Sequence, residues 1–104
     1  MIIATSSTIA GKEIKKCFGV VRGNTIRARN IGRDIIALLK NIVGGEIQEY
    51  TKLMAESREQ AIDRMCEEAK ELGANAIVDC RFSTSYIMAS AAEILVYGTA
   101  VLIE

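Results

Sequence analysis

The C-terminal segment, residues 93–104, carries apolar side chains at both odd and even positions. Alternate side chains of a β-strand point to opposite faces, so this pattern predicts a strand that is apolar on both faces. One face would consist of Ile94, Val96, Ala100 and Leu102, and the other of Leu95, Tyr97, Val101 and Ile103. Leaving three or four large side chains exposed would forgo roughly 5–12 kcal/mol, which rivals the whole stability of a typical domain. Both faces must therefore be covered.

Two arrangements would cover such a strand. Two helices of the same chain could enclose it, one on each face, or a second copy of the chain could pack on one face. A chain of 104 residues has little material for covering both faces, and we therefore favour association of subunits. The predicted interface is the face formed by Leu95, Tyr97, Val101 and Ile103, although the pattern alone does not decide between the two faces.

The N-terminal part of the chain predicts extended structure. Residues 1–5 form a short candidate strand, and residues 13–29 are rich in β-branched residues and glycine. Gly23 and Asn24 predict a turn between two strand segments, because both residue types tolerate positive φ. Gly19 indicates a bulge or a close approach of another backbone.

Two helices are predicted in the middle of the chain. The first would begin after an N-cap at Asn30, run to about residue 43 and end at Gly44 and Gly45. The second would run from about residue 46 to residue 72 and end at Gly73. It is amphipathic, and its apolar line consists of Ile47, Tyr50, Met54, Ala61, Met65, Ala69 and Leu72, with Ile62 and Cys66 beside it.

The stretch after the second helix alternates between apolar and polar residues. Within residues 75–86, one face would consist of Ala76, Val78, Cys80 and Phe82, and the other of Asp79, Arg81 and Ser83. A polar connection around residues 85–90 leads to the final strand. The order of elements predicts a single domain over residues 1–104, with an α+β fold of two layers, a mostly antiparallel sheet and two helices.

Composition excludes several kinds of site and partner. The chain contains no histidine, which excludes Ser-His-Asp and Cys-His catalysis and imidazole metal ligands. The three irregularly spaced cysteines and the lack of a leader or of an apolar run of roughly 18 residues predict a cytoplasmic protein with no membrane partner. Basic residues are concentrated in residues 12–40 and acidic residues in 46–71. Phe18 is the only aromatic residue in the basic stretch that could stack on bases, so we expect no nucleic-acid partner.

Several short segments occur in the order and at the spacing of the YbjQ family, a group of small bacterial and archaeal proteins. The chain resembles this family over nearly its whole length, through residues 19–23 (Gly-Val-Val-Arg-Gly), 30–34 (Asn-Ile-Gly-Arg-Asp), 42–45 (Ile-Val-Gly-Gly), Tyr50, 72–78 (Leu-Gly-Ala-Asn-Ala-Ile-Val) and 98–101 (Gly-Thr-Ala-Val). The resemblance implies a subunit similar to that of dodecin, assembled with copies of itself into a homopentameric ring. It also implies a heavy-metal ion as the cofactor, since the family is labelled heavy-metal-binding and has no other assigned function.

One strand departs from the family pattern. Many relatives are rich in aspartate after the position of Val78, whereas this chain continues with Asp79, Cys80, Arg81 and Phe82. The oxygen ligands that hard metal ions prefer are thus replaced in this strand.

The cysteines are the candidate ligands of a heavy metal, chiefly Cys17 and Cys80. They form no Cys-x-x-Cys pair, and the alternative is that Cys66 and Cys80 are buried as small hydrophobic residues. One cysteine repeated around a five-fold axis would supply five equivalent ligands, whereas structural zinc takes four. A site at a subunit boundary that combines a thiolate with Asp79 or a glutamate stays open.

Three further residues are candidates for binding a small ligand. Arg33 and Asp34 lie in the first turn of the first predicted helix, where Arg33 could bind an anion together with free backbone N–H groups. The alternative is a salt bridge combined with helix capping. Tyr50 could contribute its phenol to a pocket, or it could pack on the apolar line of its helix.

These features favour a ring-forming homo-oligomer that binds a heavy metal or a small ligand at its subunit interfaces. The alternative is a structural or regulatory oligomer that acts through protein contacts. No catalytic residue is predicted. An enzyme that uses Arg33, Asp34 or Tyr50 is the least favoured interpretation.

Overall fold

A computed structural model describes residues 1–28, 46–88 and 91–104 of the chain, with side chains described for residues 1–26, 54–85 and 92–104. The elements are β1 (Ile2–Ile3), β2 (Ile14–Ala28), α1 (Glu46–Leu72), β3 (Ala76–Met88) and β4 (Ala91–Ile103). The first predicted helix, over residues 30–43, and its stop at residues 44–45 lie outside the described residues. So do the candidate residues Arg33 and Asp34.

The four strands form one mixed sheet in the order β1-β3-β4-β2. β4 lies in the centre and is antiparallel to both β2 and β3, whereas the short β1 is parallel to β3. Helix α1 packs on one face of this sheet, chiefly against β2 and β4. The predicted α+β class and the mostly antiparallel sheet are therefore confirmed, with one helix in the described part of the chain.

The two faces of β4 divide as the alternation predicted. Ile94, Val96 and Ala100 are buried in the core against α1. On the opposite face, Val101 and Ile103 are buried as well, but their cover comes from their own chain. Half of the predicted subunit interface is thus already covered by the same chain.

The segment between β1 and β2 crosses the sheet on the face opposite α1. Ile9 of this segment packs against a small cluster formed by Ala76, Val78, Val101 and Ile103. Glu13 and Glu104 exchange two backbone hydrogen bonds, both 3.0 Å long, which hold the end of the segment beside the end of β4. The loop therefore covers one end of this face.

Helix α1 has the predicted bounds, and Gly73 follows it with a φ of +93° that ends the helix. Its buried line contains Ala61, Met65 and Ala69 as predicted. Leu72 is the exception, since 45% of it is exposed. None of the helical structure in the described ranges is long and apolar enough to cross a bilayer.

The turn that was predicted at residues 23 and 24 is wrong. β2 runs without interruption from Ile14 to Ala28, and Gly23 lies in its middle on the face toward α1. A Cβ atom here would overlap the carbonyl oxygen of Ala61 and lie 2.5 Å from the backbone N of Met65. Glycine is therefore required here by the helix backbone, which lies directly on the strand, and not by a turn.

The faces that were predicted for β3 are wrong, because the strand contains a bulge after Val78. Val78 is paired with Thr99 and Arg81 with Tyr97, so two residues of β3 lie opposite Gly98 alone. Asp79 takes a φ of +53° within this bulge. The extra residue reverses the alternation beyond it, because the side-chain period of a strand is two. Val78 therefore faces away from α1, whereas Cys80 is buried on the side of α1.

The bulge at Gly19 is the one that the sequence did predict. The register of β2 against β4 shifts between Cys17 and Gly19, and Gly19 has a φ of +100°. Positive φ is easily adopted by glycine, which has no Cβ. The remainder of β2, from Gly19 to Ala28, pairs with β4 in regular register.

Candidate functional site

Beyond the N-terminal loop, no described element covers the face of the sheet opposite α1. We call this region the open face; it consists of Val20, Arg22, Asn24 and Ile26 of β2, Arg81, Ser83 and Ser85 of β3, and Glu93, Leu95, Tyr97 and Thr99 of β4. Val20 is 67% exposed, Ile26 56% and Tyr97 39%. Large apolar side chains are thus in contact with water on a face where arginine and hydroxyl groups also lie.

Three side chains form a row across the centre of the open face. Tyr97 of β4 is paired with Arg22 on one side and with Arg81 on the other. Directly paired residues point to the same face, so Arg22, Tyr97 and Arg81 all belong to the open face. The row joins three strands that are far apart in the sequence.

Arg81 is held in place by the backbone around it. Its Nη1 donates to the carbonyl oxygen of Thr5 at 2.8 Å and to that of Cys80 at 2.9 Å. Beside it, the hydroxyl of Ser7 donates to Asp79 at 2.9 Å, which fastens the same loop to the bulge. The loop therefore holds the guanidinium end of the Arg81 side chain at the outer side of β3.

The acidic residue of the open face lies near its far end. Glu93 accepts a hydrogen bond of 3.2 Å from the side chain of Asn24. Glu93 and Tyr97 are four residues apart in a strand, which places them about 13 Å from each other. The described ion pair of the chain, between Lys15 and Glu13 at 3.1 Å, involves neither arginine of the row.

The three cysteines occupy three different environments. Cys17 is exposed, and its pairing with Val101 puts it on the side of the sheet away from α1. Cys80 is buried in the core on the side of α1, and Cys66 of the helix packs against the same core. The fold therefore separates the two predicted metal ligands, Cys17 and Cys80, by the thickness of the sheet.

Burial keeps two of the thiols protonated. Desolvation by burial raises the pKa of the Cys80 thiol, and it raises the pKa of the Cys66 thiol in the same way. Thiolate is the form that binds metals, so both residues are poor ligands at neutral pH. Within the described ranges, no three cysteine, aspartate or glutamate side chains come together as a metal site.

The remaining predicted positions divide between the described and undescribed parts of the chain. Tyr50 lies in α1, but its side chain is outside the described set. Leu95 and Tyr97 of the predicted interface lie on the open face and stay accessible, in contrast to Val101 and Ile103. Sequence reasoning missed the arginine row, because the bulge that turns Arg81 to this face carries no glycine to signal it.

Both outer edges of the sheet offer backbone groups for further pairing. β2 is paired with β4 on one side and with no other described strand on the other. The outer side of β3 bonds to β1 and then, through the N–H groups of Asp79 and Cys80, to the loop. Beyond Cys80, no described strand lies on that side. The guanidinium of Arg64 does contact the β2 edge, since it donates to the Asn24 carbonyl oxygen at 2.6 Å.

Comparison with known proteins assigns the family. A family model described as "Putative heavy-metal-binding" matches residues 1–104, which is the full chain. The chain belongs to the YbjQ family. The resemblance inferred from the short segments is confirmed.

Curated relatives agree with this membership, and one solved structure has the same fold. The chain is 58% identical to a UPF0145 protein of Methanosarcina acetivorans, over 97% of this chain and 95% of the relative. It is 56% identical to a UPF0145 protein of Dehalococcoides mccartyi, with both chains covered completely. A crystal structure of a protein of unknown function from Pediococcus pentosaceus, assigned to the DUF74 family, has a TM-score of 0.67 and 18% identity. It covers 100% of this chain and 98% of its own, and it shows the same fold.

Proposed function

We propose that this YbjQ-family chain functions as a ring-forming homo-oligomer that binds a heavy-metal ion or a small ligand where its subunits meet. The observation that carries this proposal is the sheet with two open edges, β2 on one side and β3 beyond Cys80 on the other. An exposed strand edge is a template for pairing with another chain, and natural proteins usually block it. Here the irregular part of β2 ends at Gly19, and the segment after it pairs in regular register.

The direction of the two edge strands supports a ring. β2 and β3 are both antiparallel to β4, so they run in the same direction. A rotation about an axis parallel to the strands keeps the direction of every strand. It would therefore place β2 of one copy beside β3 of the next in parallel pairing. Such a head-to-tail contact uses two different surfaces and closes into a ring when the rotation divides a full turn. The number of subunits, five by resemblance to the family, stays a prediction.

The surface area and the shape of the single chain support association as well. Its accessible surface is 6883 Å², whereas a compact monomer of 11.3 kDa exposes about 5,700 Å². Its radius of gyration is 17.1 Å, compared with about 13 Å for a compact domain of this length. The excess area, roughly 1,200 Å², exceeds the share that one partner buries in a standard interface, about 800 Å².

The metal part of the proposal is supported by the family description and by Cys17. Soft thiolate ligands select heavy metal ions, and Cys17 is the exposed thiol of the chain. It lies on the edge strand β2, so a neighbouring subunit joined at this edge would come close to it. A complete site would take its other ligands from that neighbour.

A second candidate function is favoured by the lack of a ligand cluster in the described part of the chain. Without three converging ligands in one subunit, the ring would serve as a structural or regulatory oligomer that acts through protein contacts. We propose no catalytic role in either case. Metal analysis distinguishes the two candidates.

The assembly is tested by charging the edge strand. Val20→Lys places an ammonium group on an exposed residue of β2, where it would be buried by a neighbouring subunit. We expect native mass spectrometry to show loss of the wild-type oligomer, with the monomer fold retained by circular dichroism. Leu72→Lys is the matched control, since Leu72 is also exposed but lies at the end of α1, and it should keep the wild-type mass. A wild-type chain that is monomeric at micromolar concentration would refute the ring.

The metal is tested by elemental analysis after loading with Zn²⁺ or Cd²⁺ and gel filtration. We expect bound metal to fall to background in Cys17→Ser, because serine supplies no thiolate. Cys80→Ser is the control, since its position is buried on the opposite side of the sheet, and it should retain metal if it folds. An oligomer that binds neither ion would favour the second candidate function.

A further inference from the structure

We propose that the open face contains an anion-binding site, in which Arg22 and Arg81 bind the phosphate or carboxylate groups of a small ligand above Tyr97. The site is formed by one subunit and does not depend on the ring or on a metal. It goes beyond the proposed function, because two arginines repel the cation that the family description names.

The register of the strands sets the spacing of this site. Tyr97 is paired with both arginines, and neighbouring strands lie about 4.8 Å apart, so the Cα atoms of Arg22 and Arg81 are about 10 Å apart. Each guanidinium is a planar fork that matches two oxygens of a phosphate or carboxylate. The spacing therefore suits a ligand with two anionic groups, one for each arginine.

The strand positions around Tyr97 add donors and no carboxylate, while Asp79 beside Arg81 and Glu93 beside Asn24 each accept a hydrogen bond. The accessible positions around Tyr97 are Val20, Arg22, Asn24, Thr99, Leu95, Arg81 and Ser83. They carry two positive charges, several hydroxyl and amide groups, and no carboxylate. Apolar side chains on both sides of the tyrosine ring would exclude water from one side of a bound ligand, which strengthens the charge-assisted hydrogen bonds.

Arg81 is preorganised for this role. Its Nη1 is held by two backbone carbonyl oxygens, at 2.8 and 2.9 Å, while the side chain remains exposed. These bonds leave the N–H groups of Nη2 and Nε for a ligand. Without the bulge at Asp79, the alternation of β3 would point Arg81 toward α1. Bulges that redirect a side chain in this way are over-represented beside functional sites.

The experiment uses inorganic pyrophosphate as the probe. Full-length protein is stripped of metal with a chelator, so that pyrophosphate cannot bind through a cation, and titrated in a calorimeter at fixed ionic strength. We expect saturable binding by the wild type and at least tenfold weaker binding by Arg22→Gln and by Arg81→Gln, since hydrogen bonds to charged groups contribute this much. Arg22→Lys should also weaken binding, because it keeps the charge but loses the planar fork.

Arg58→Gln is the matched control for net charge. Arg58 is exposed on α1, on the other layer of the fold, and its variant should bind pyrophosphate as the wild type does. Equal weakening in all three glutamine variants would overturn the proposal, because it would show attraction by net charge alone. Absence of binding to the wild type would overturn it too. A change of the subunit number in Arg22→Gln, measured by light scattering, would also overturn the proposal. It would assign the arginines to carboxylates of a second copy.

Discussion

At the residue scale, two glycines of the sheet lie where neighbouring atoms leave no room for a side chain. Gly23 lies beneath the backbone of α1, and Gly98 lies opposite the bulge of β3. A Cβ on Gly98 would be 2.6 Å from Cγ2 of Ile77 and 3.1 Å from the carbonyl oxygen of Val78. Both glycines therefore allow close packing, and neither is used for positive φ.

Gly23→Ala should be strongly destabilising. The added methyl group meets rigid helix backbone, so the helix must move away from the sheet, and overpacking of this kind costs about 3 kcal/mol. Urea unfolding followed by circular dichroism measures the change. Gly19→Ala is the comparison, because Gly19 has a φ of +100° but no atom within 4 Å of its Cβ position, and it should cost only about 1 kcal/mol. Equal costs for the two variants would contradict direct packing of the helix on Gly23.

For the cysteines, the sequence indicated burial but not the face of the sheet. The sequence predicted that Cys66 and Cys80 could be buried as small apolar residues, and both pack in the core beside α1. The sequence could not show that Cys17 and Cys80 lie on opposite sides of the sheet. The bulges near Gly19 and at Asp79 shift the alternation in their strands, so spacing along the chain did not give the face.

At the element scale, the bulge in β3 decides which side chains reach each face. Asp79 adopts a φ of +53°, a region that aspartate tolerates better than most residues because its short side chain bonds locally. The segment from Cys80 onward depends on this one residue for its orientation. Arg81 reaches the open face and Cys80 reaches the core as a result.

Asp79→Val should destabilise the fold by about 2 kcal/mol. A β-branched residue is strained at positive φ, and valine also loses the bond from the Ser7 hydroxyl. Asp79→Asn is the control, since asparagine accepts positive φ and retains an acceptor for Ser7, and its urea midpoint should stay within the error of the wild type. A valine variant as stable as the asparagine variant would argue against a left-handed residue in the bulge.

Helix α1 illustrates an element that the sequence predicted well. Its apolar residues recur at helical spacing, and Gly73 marks its end, so both bounds were correct. The close approach to β2 was not predicted. It depends on small side chains from both elements: Gly23 lies under Ala61, and the buried Thr25 donates to the carbonyl oxygen of Ser57 at 3.3 Å.

At the scale of the whole molecule, one helix in the described part of the chain covers one face of a four-stranded sheet. The N-terminal loop covers one end of the other face, over Val101 and Ile103. No described element covers the rest of that face or pairs with the outer edge of β2. Of the predicted interface, Val101 and Ile103 are therefore covered by their own chain, whereas Leu95 and Tyr97 are accessible.

Thermal unfolding should depend on protein concentration. If native subunits are stabilised by association, tenfold dilution weakens each subunit by about 1 kcal/mol, which lowers Tm by about 4–8 °C for a chain of this size. Scanning calorimetry at several concentrations measures this shift. Val20→Lys should remove the dependence, because its subunits remain separate. A Tm that is constant over a hundredfold dilution of the wild type would count against the oligomer.

The sequence by itself determined the elements whose side chains repeat with a local period. The two-faced strand β4, the bounds of α1 and the bulge at Gly19 all follow from residues that are close together in the chain. The family membership follows from the order of short segments along nearly the whole chain. Only the tertiary structure decided the roles of Gly23 and Asp79, the cover over Val101, and the row of Arg22, Tyr97 and Arg81. These features depend on contacts between distant segments, and a single inserted residue in a strand exchanges its two faces without changing any local pattern.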